Sequence, residues 1–324
     1  MKISPKAALH RGFTILELMV AMAITAIIVG VLVTITGTAI DTWNNSRNEL
    51  RAARQAEAMI NIMTRDLESL VVRADRPQEW LSAVLKTPEN GGSTNAARLI
   101  FLTAATDRYD GKIGTDDDLG GDISCVAYEL EWKDPVSPES TPEQQKLKTF
   151  VINRHIANPN TTFQKVLGVA GTVDPVTGNE QTLDDVYIGA YGALMDQDRN
   201  FVCENIFQFT MTFHVDYSKL VAGVPTRDTK FISLSTDASG NESFRVKHNG
   251  LLVEPEDKTV VNGVLTAVEV SLTVLTDSAI VQLRQKLRTD PTWVGGQGRD
   301  KEDFPAWLKA NSYNFTRLVQ VPRK

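Results

Sequence analysis

Cysteine and histidine are scarce in this chain of 324 residues, which has two of the first and four of the second. Two cysteines, Cys125 and Cys203, are too few for a disulfide scaffold. In an oxidising compartment they can form a single bridge, and the alternative is two unlinked thiols in separate strands. Sequence leaves both open, because pairing geometry is not written in spacing. The histidines, His10, His155, His214 and His248, carry no metal-ligand spacing. There is no G-x-S-x-G elbow, no phosphate-cradling loop and no dinucleotide fingerprint. No catalytic residues emerge, so the chain reads as a non-enzyme. Long basic blocks are also missing, and the net charge is −6 with a pI near 5.4. A nucleic-acid surface is therefore not expected.

What the chain does have is apolar residues, 42% of the total, enough for a substantial core. They are concentrated first in Phe13–Ile40, where Glu17 is the one charged residue. As a helix at ~1.5 Å per residue this run extends about 42 Å. That exceeds a hydrocarbon core of about 30 Å, so it spans a membrane with one end projecting. Lys2, Lys6 and Arg11 precede it, which places the N-terminus in the cytoplasm and the body across the membrane. An ordinary secretory signal has an apolar core of only about 7–15 residues. A plain signal-anchor explains the length and the basic leader but not Glu17. A carboxylate at the centre of a lipid-embedded helix costs roughly 2.5–3.5 kcal/mol on insertion scales, and less near an end.

The order Gly12-Phe13-Thr14-Ile15-Leu16-Glu17, ahead of a long apolar helix, resembles the class III signal of type IV prepilins and type II secretion pseudopilins. The resemblance implies cleavage between Gly12 and Phe13 by a prepilin peptidase, then N-methylation of Phe13 by the same enzyme. It also assigns Glu17 to methylation and subunit docking. The physics agrees. Cleavage leaves a cationic amine at a helix N-terminus, where the macrodipole disfavours it. A carboxylate four residues on lies one turn away on the same face. In a filament, Glu17 of one subunit can meet the Phe13 amine of its neighbour and set axial register.

Beyond Ile40 the chain turns polar but keeps a helical period. Trp43, Ser46, Leu50, Ala53, Ala56, Ile60, Met63, Leu67 and Leu70 form a stripe, with most charges off it. One helix is expected from Phe13 to about Arg73, ending before Pro77. The organisation that follows is a basic leader at 1–12, a transmembrane half at 13–40, an amphipathic half at 41–76 and a globular head at 77–324.

In the head, strands are expected at Arg98–Thr103, Ser124–Trp132, Thr149–Asn153, Ile206–Val215, Ala267–Leu275 and Thr316–Val321. Weaker strand patterns lie near Tyr187, Phe231 and Phe244. A helix is expected from about Asp277 to Arg288, capped by Asp277 or Ser278. Strands without alternating helices indicate an antiparallel sheet in an α+β head. The segments Arg98–Ala105, Cys125–Trp132, Phe150–Ile156, Glu204–Phe213, Leu265–Leu275 and Phe315–Pro322 resemble, in this order, the J-type minor pseudopilin of type II secretion. The chain departs from that pattern in length, with excess at Pro135–Lys148, Pro159–Asp185 and Leu220–Asn262. Glu17 separates it from the K-type subunit, which typically lacks that acid.

Two acidic clusters invite a metal. Asp107, Asp110, Asp116, Asp117, Asp118 and Asp122 share a glycine-containing loop of the kind calcium favours. Their spacing does not match the EF-hand order. Asp196, Asp198 and Asn200 begin that order, but Phe201 replaces its glycine. Calcium occurs in some pseudopilin heads, yet solvated loops are the simpler reading and no cofactor is expected. Trp293 and Trp307 are read as packing rather than as binding platforms. The resemblance implies a single-pass subunit of the bacterial inner membrane with a periplasmic head. Its expected partners are the prepilin peptidase, other pseudopilins and the secretion assembly platform. A type IV pilus minor pilin for adhesion or DNA uptake is one alternative, and a membrane-anchored envelope enzyme or binding protein is another.

Overall fold

The computed structural model describes residues 14–72, 78–86, 96–104, 123–135, 147–167, 169–170, 173, 178–195, 197, 200–221, 224–235, 241–247, 250–289 and 303–322. The chain divides after Leu50 into two compact units. Helix α1, Ile15–Glu68, contributes to both.

The first unit is the exposed, apolar part of α1, long and apolar enough to cross a membrane. Ile15, Leu16, Met19, Ile27, Leu32 and Val33 all stand open. Four threonines in or just past the apolar run turn their hydroxyls back onto the helix. Thr25, Thr34, Thr38 and Thr42 donate to the carbonyls of Ala21, Gly30, Thr34 and Thr38 at 2.8–3.0 Å. In lipid, where no water can satisfy a hydroxyl, this internal bonding removes its desolvation cost.

The second unit begins with the buried end of α1. Ala52, Ala56, Met59, Ile60, Met63 and Leu67 repeat at three- and four-residue steps and are buried. The stripe read from sequence is thus correct from Ala56 onward, whereas Trp43 and Leu50 are exposed. The helix also ends earlier than expected, at Glu68. Leu70 instead forms a β-bridge with Thr103.

Among the described residues eleven strands follow: β1 Leu81–Leu85, β2 Ala97–Thr103, β3 Ser124–Lys133, β4 Thr149–Ala157, β5 Phe201–Glu204, β6 Ile206–Val221, β7 Val224–Ser233, β8 Ser243–Lys247, β9 Gly250–Glu254, β10 Val264–Leu275 and β11 Ser312–Gln320. They build two antiparallel sheets, a seven-stranded one in the order β5-β4-β3-β2-β1-β8-β9 and a four-stranded one in the order β11-β10-β6-β7. The expected α+β class with an antiparallel head is the one observed. The helices of the head are α2 Pro159–Thr161, a π-helix Thr162–Leu167, α3 Leu183–Met195, α4 Asp277–Thr289 and α5 Asp303–Asn311.

Alternation along the strands decides what packs where. Tyr128 of β3 lies opposite Arg154 of β4 and Leu99 of β2, so all three face one side of the large sheet. The end of α1 packs on that side, with Gln55 at β5 and Asp66 at β4 and β3. Phe244 of β8 shares the face and stacks on Phe213 of β6, with centroids 4.0 Å apart. Phe150 of β4 meets Phe207 of β6 edge-on at 5.1 Å. The small sheet therefore packs on the same face as α1. The opposite face carries α3, where Tyr187 bonds to His155 and Arg98 grips Asp184.

The segment around Tyr187 is therefore α3, not a strand. Leu183, Tyr187, Tyr191 and Met195 recur every four residues and are buried. Thr182 caps the helix, accepting from the Asp185 amide at 3.1 Å and donating to its carboxylate at 2.7 Å. The α4 expectation holds within a residue, but its cap is Thr276, whose hydroxyl accepts the Ala279 amide at 3.2 Å.

A Cys125–Cys203 bridge is ruled out by the same alternation. Cys125 lies opposite Ala157 and Cys203 opposite Ile152, five residues apart along β4. An odd offset places them on opposite faces of one sheet, about 16 Å apart along the strand direction. Both are buried free thiols, and burial pushes Cys203 up to about 12 and Cys125 higher still. Thiolate formation is thus suppressed, and with it reactivity. We expect no reaction with a thiol reagent in the folded protein, two titratable thiols after denaturation, and unchanged mobility on non-reducing electrophoresis.

Candidate functional site

Thr14 and Glu17 form the described part of the N-terminal site. The Thr14 amide donates to Glu17 Oε2 at 2.9 Å, and the Thr14 hydroxyl donates to the same oxygen at 3.0 Å. In return the Glu17 amide donates to Thr14 Oγ1 at 3.2 Å. This is a reciprocal capping box. It satisfies donors that the first turn of any helix leaves without a partner. The Thr-x-x-Glu pattern was available in the sequence, and Thr14 is a site residue that the prepilin comparison alone does not single out. Glu17 therefore has two assignments to separate, a cap for its own helix and a charge for a neighbour. Gly12 and Phe13, the two cleavage residues, lie outside the described residues.

The acids read as metal candidates are mostly outside the described residues as well: Asp107, Asp110, Asp116, Asp117, Asp118, Asp122, Asp196 and Asp198. Asn200 is described, and its side-chain amide donates to the Leu194 carbonyl at 2.6 Å, tying the end of α3. Among the described residues no group of three or more His, Cys, Asp or Glu is placed to hold a metal ion.

Two buried titratable clusters among the described residues of the head tie its elements together. Asp66 of α1 is wholly buried and takes Arg154 in a bidentate grip at 2.7 and 2.8 Å. The Tyr128 hydroxyl donates to the same carboxylate. Burial, and secondarily the Asp66 charge, hold the Tyr128 phenol well above its usual value. Glu79, also buried, accepts the Leu183 amide at 2.8 Å and pairs with Arg245 at 3.1 Å. Burial raises its pKa although both partners oppose the rise. Each cluster joins elements distant in sequence.

His155 and His214 do not converge. His155 Nδ1 is bonded to the Tyr187 hydroxyl at 2.5 Å beneath α3. His214 packs edge-on to Phe231 in the other sheet. His10 and His248 lie outside the described residues, as does Trp293. Trp307 stacks on Phe304 and donates to Gln282 at 2.9 Å, which makes it packing between α5 and α4.

Residues 8–33 match a known family, the prokaryotic N-terminal methylation motif. The matched segment contains Gly12, Phe13, Thr14 and Glu17 and the apolar run as far as Val33. The motif supports a prepilin-like protein of the kind a prepilin peptidase processes and, with a helix long and apolar enough to cross a membrane, supports membrane anchoring; it favours a structural subunit over an enzyme. Neither the curated proteins nor the solved structures gave a match to this chain.

Proposed function

We propose that this chain is a minor pseudopilin, J-type-like, of a type II secretion-like assembly. The observation that carries the reading is the methylation motif seated at the start of an exposed helix whose apolar run, up to Ile40, has one carboxylate, Glu17, in the first turn. The subunit waits in the bacterial inner membrane with its head in the periplasm. A prepilin peptidase cuts it between Gly12 and Phe13 and methylates Phe13. It then enters a short filament with other pseudopilins on the assembly platform.

Assembly is non-covalent. The released Phe13 amine and Glu17 neutralise each other across neighbouring subunits, since each is costly alone in lipid. Apolar side chains along α1 supply cohesion, helped by a row of small residues at four-residue steps, Ala26, Gly30, Thr34, Thr38 and Thr42. The direct test is the mass of the mature N-terminus from the native host. The expected species begins at Phe13 and carries one methyl group. A chain that retains residues 1–12 would overturn the reading.

The capping box makes the Glu17 test sharper. Glutamine serves in a capping box as well as glutamate does. Glu17→Gln should therefore keep helix α1 and membrane insertion while losing incorporation into filaments. Glu17→Ala should lose both the cap and incorporation. Filament incorporation of Glu17→Gln at the wild-type level, measured by cross-linking in membranes, would leave Glu17 as a helix cap only.

A further inference from the structure

The geometry points to the outer edge of β11 as a docking site for an extended peptide strand of another protein, one that carries an acidic side chain opposite Arg317. Strand β11 ends the small sheet and pairs on one side alone, with β10, in nine unbroken pairs from Ser312 with Leu275 to Gln320 with Ala267. Bonds at both ends fix which backbone groups face outward. The Thr276 amide donates to the Asn311 carbonyl at 3.1 Å, and the Val321 amide to the Thr266 carbonyl at 3.0 Å. Odd-numbered residues of this segment therefore bond to β10, and Asn314, Thr316, Leu318 and Gln320 turn their amides and carbonyls away from it. Among the described residues no hydrogen bond reaches those outward groups, and all four residues are exposed.

The other three sheet edges are blunted. On β7, Asn241 bridges Leu234 and gives its amide to the Ser233 carbonyl at 3.1 Å, while the Thr229 amide is held by Asp228 at 2.9 Å. On β9, the Leu251 amide donates to the Val261 carbonyl at 2.8 Å. Strand β5 has only four residues, and its register with β4 shifts. Covering loops, bulges and brevity are the usual means by which a sheet edge avoids arbitrary partners. Strand β11 has none of them: it runs for nine residues without proline, glycine or a register shift. A length of backbone open in this way is what strand addition uses for affinity, with alternate side chains setting specificity.

The side chains decide which strand fits. Arg317 lies opposite Val270, and Val270 opposite Met211. Both of those are buried, so Arg317 stands on the core side of the small sheet, between Phe315 and Val319. It is nevertheless exposed, and among the described residues it has no ion pair. A charge on the core side of an edge strand discourages an arbitrary apolar partner. It also selects an acidic one. In antiparallel addition Arg317 falls at a non-hydrogen-bonded pair, where facing side chains come closest. The incoming strand therefore needs an acid there, with apolar residues two positions to either side to meet Phe315 and Val319. The residues between lie beside Thr316 and Leu318 on the outer face, where Leu318 is 46% exposed. A second copy of β11 suits the edge less. Centred on Thr316 it sets Arg317 against Phe315 and supplies no acid, and centred on Arg317 it opposes two arginines.

The test uses the full chain in detergent micelles and a labelled peptide of the same nine-residue length as β11, alternating valine and threonine with glutamate at its centre. Its valine amides, which face away from β11, are N-methylated so that the peptide cannot stack on itself. Fluorescence anisotropy should show saturable binding. An isomer N-methylated on its threonines instead has the same composition and the same uptake by micelles. It should bind about tenfold more weakly, because those are the amides that bond to β11. A lysine-centred peptide should also bind wild type about tenfold more weakly than the glutamate one, and Arg317→Glu should reverse that order. Thr316→Pro removes one outward amide and leaves the bonds to β10, so it should fold and lose binding. Should either variant fail to fold, the peptide isomers and the exchanged central charge still decide the matter on the wild-type chain. No saturable binding by wild type, equal binding of the two isomers, or no preference for glutamate would each overturn the proposal. So would self-association in sedimentation that Thr316→Pro abolishes, which would give the edge to a second copy.

Discussion

Asp66→Ala should cost about 3–5 kcal/mol of head stability, the largest loss expected from any single side chain outside the aromatic core. The carboxylate has no solvent exposure and holds three donors, two from Arg154 and the hydroxyl of Tyr128. Removing it takes away the carboxylate that grips the guanidinium of Arg154, whose side chain is 13% exposed. It also removes the acceptor of a buried phenol, which costs roughly 1–3 kcal/mol where no other acceptor is found. Replacing the pair by apolar residues is a different experiment. Asp66→Leu with Arg154→Met removes both charges together and leaves the Tyr128 hydroxyl to satisfy, so it should recover most of the loss. Urea unfolding of the full chain in detergent, followed by tryptophan fluorescence, reads both variants, since Trp80 is buried and Trp132 packs on Phe150. A single mutant within 1 kcal/mol of wild type would show that the cluster is ornamental; equal losses in single and double mutants would show that shape rather than charge matters there.

The position of Asp66 explains why so large an effect escapes sequence reading. Along α1 it is one polar residue among several, next to Arg65 and Glu68, and nothing local distinguishes it. Its partners are 62 and 88 residues away, on strands whose faces are set only when β3 and β4 pair. What local pattern can carry was legible. The alternation in Arg98–Thr103, Ser124–Trp132 and Ala267–Leu275 gave β2, β3 and β10 nearly to their ends. The period of α1 gave its buried stripe from Ala56, but Trp43 and Leu50, on the same period, are exposed. Around Tyr187, Val-Tyr-Ile composition suggested a strand, and tertiary burial of the four-residue step overrode it. The stretch Leu220–Asn262 looked like excess length against the family pattern. It supplies β7, β8 and β9, and β8 pairs with β1 to extend the large sheet. Of the candidate site, Glu17 was legible because a lone charge in an apolar run is conspicuous. Its bond to Thr14 was legible in principle, since the capping pattern is four residues long.

Gly12→Val should leave the precursor uncut. The peptidase cleft must admit the backbone at the residue before the cut, and a β-branched side chain there adds bulk next to the scissile bond and stiffens the chain. The expected readout is complete retention of residues 1–12 by mass, with no methyl group on Phe13. Insertion in the membrane should be unchanged, because the apolar run of α1 and its internal threonine bonds are untouched. Gly12→Ala adds one methyl group and should be cut slowly rather than not at all. Retention has a further consequence. Without cleavage no amine is released at Phe13, so Glu17 has only Thr14 to bond, and the charge pairing between subunits cannot form. Gly12→Val and Glu17→Gln should therefore abolish filament incorporation by the same route. Combining them should add nothing to either, whereas two independent defects would compound. Wild-type processing of Gly12→Val would refute the leader assignment, and additive losses in the double variant would detach the role of Glu17 from the freed N-terminus.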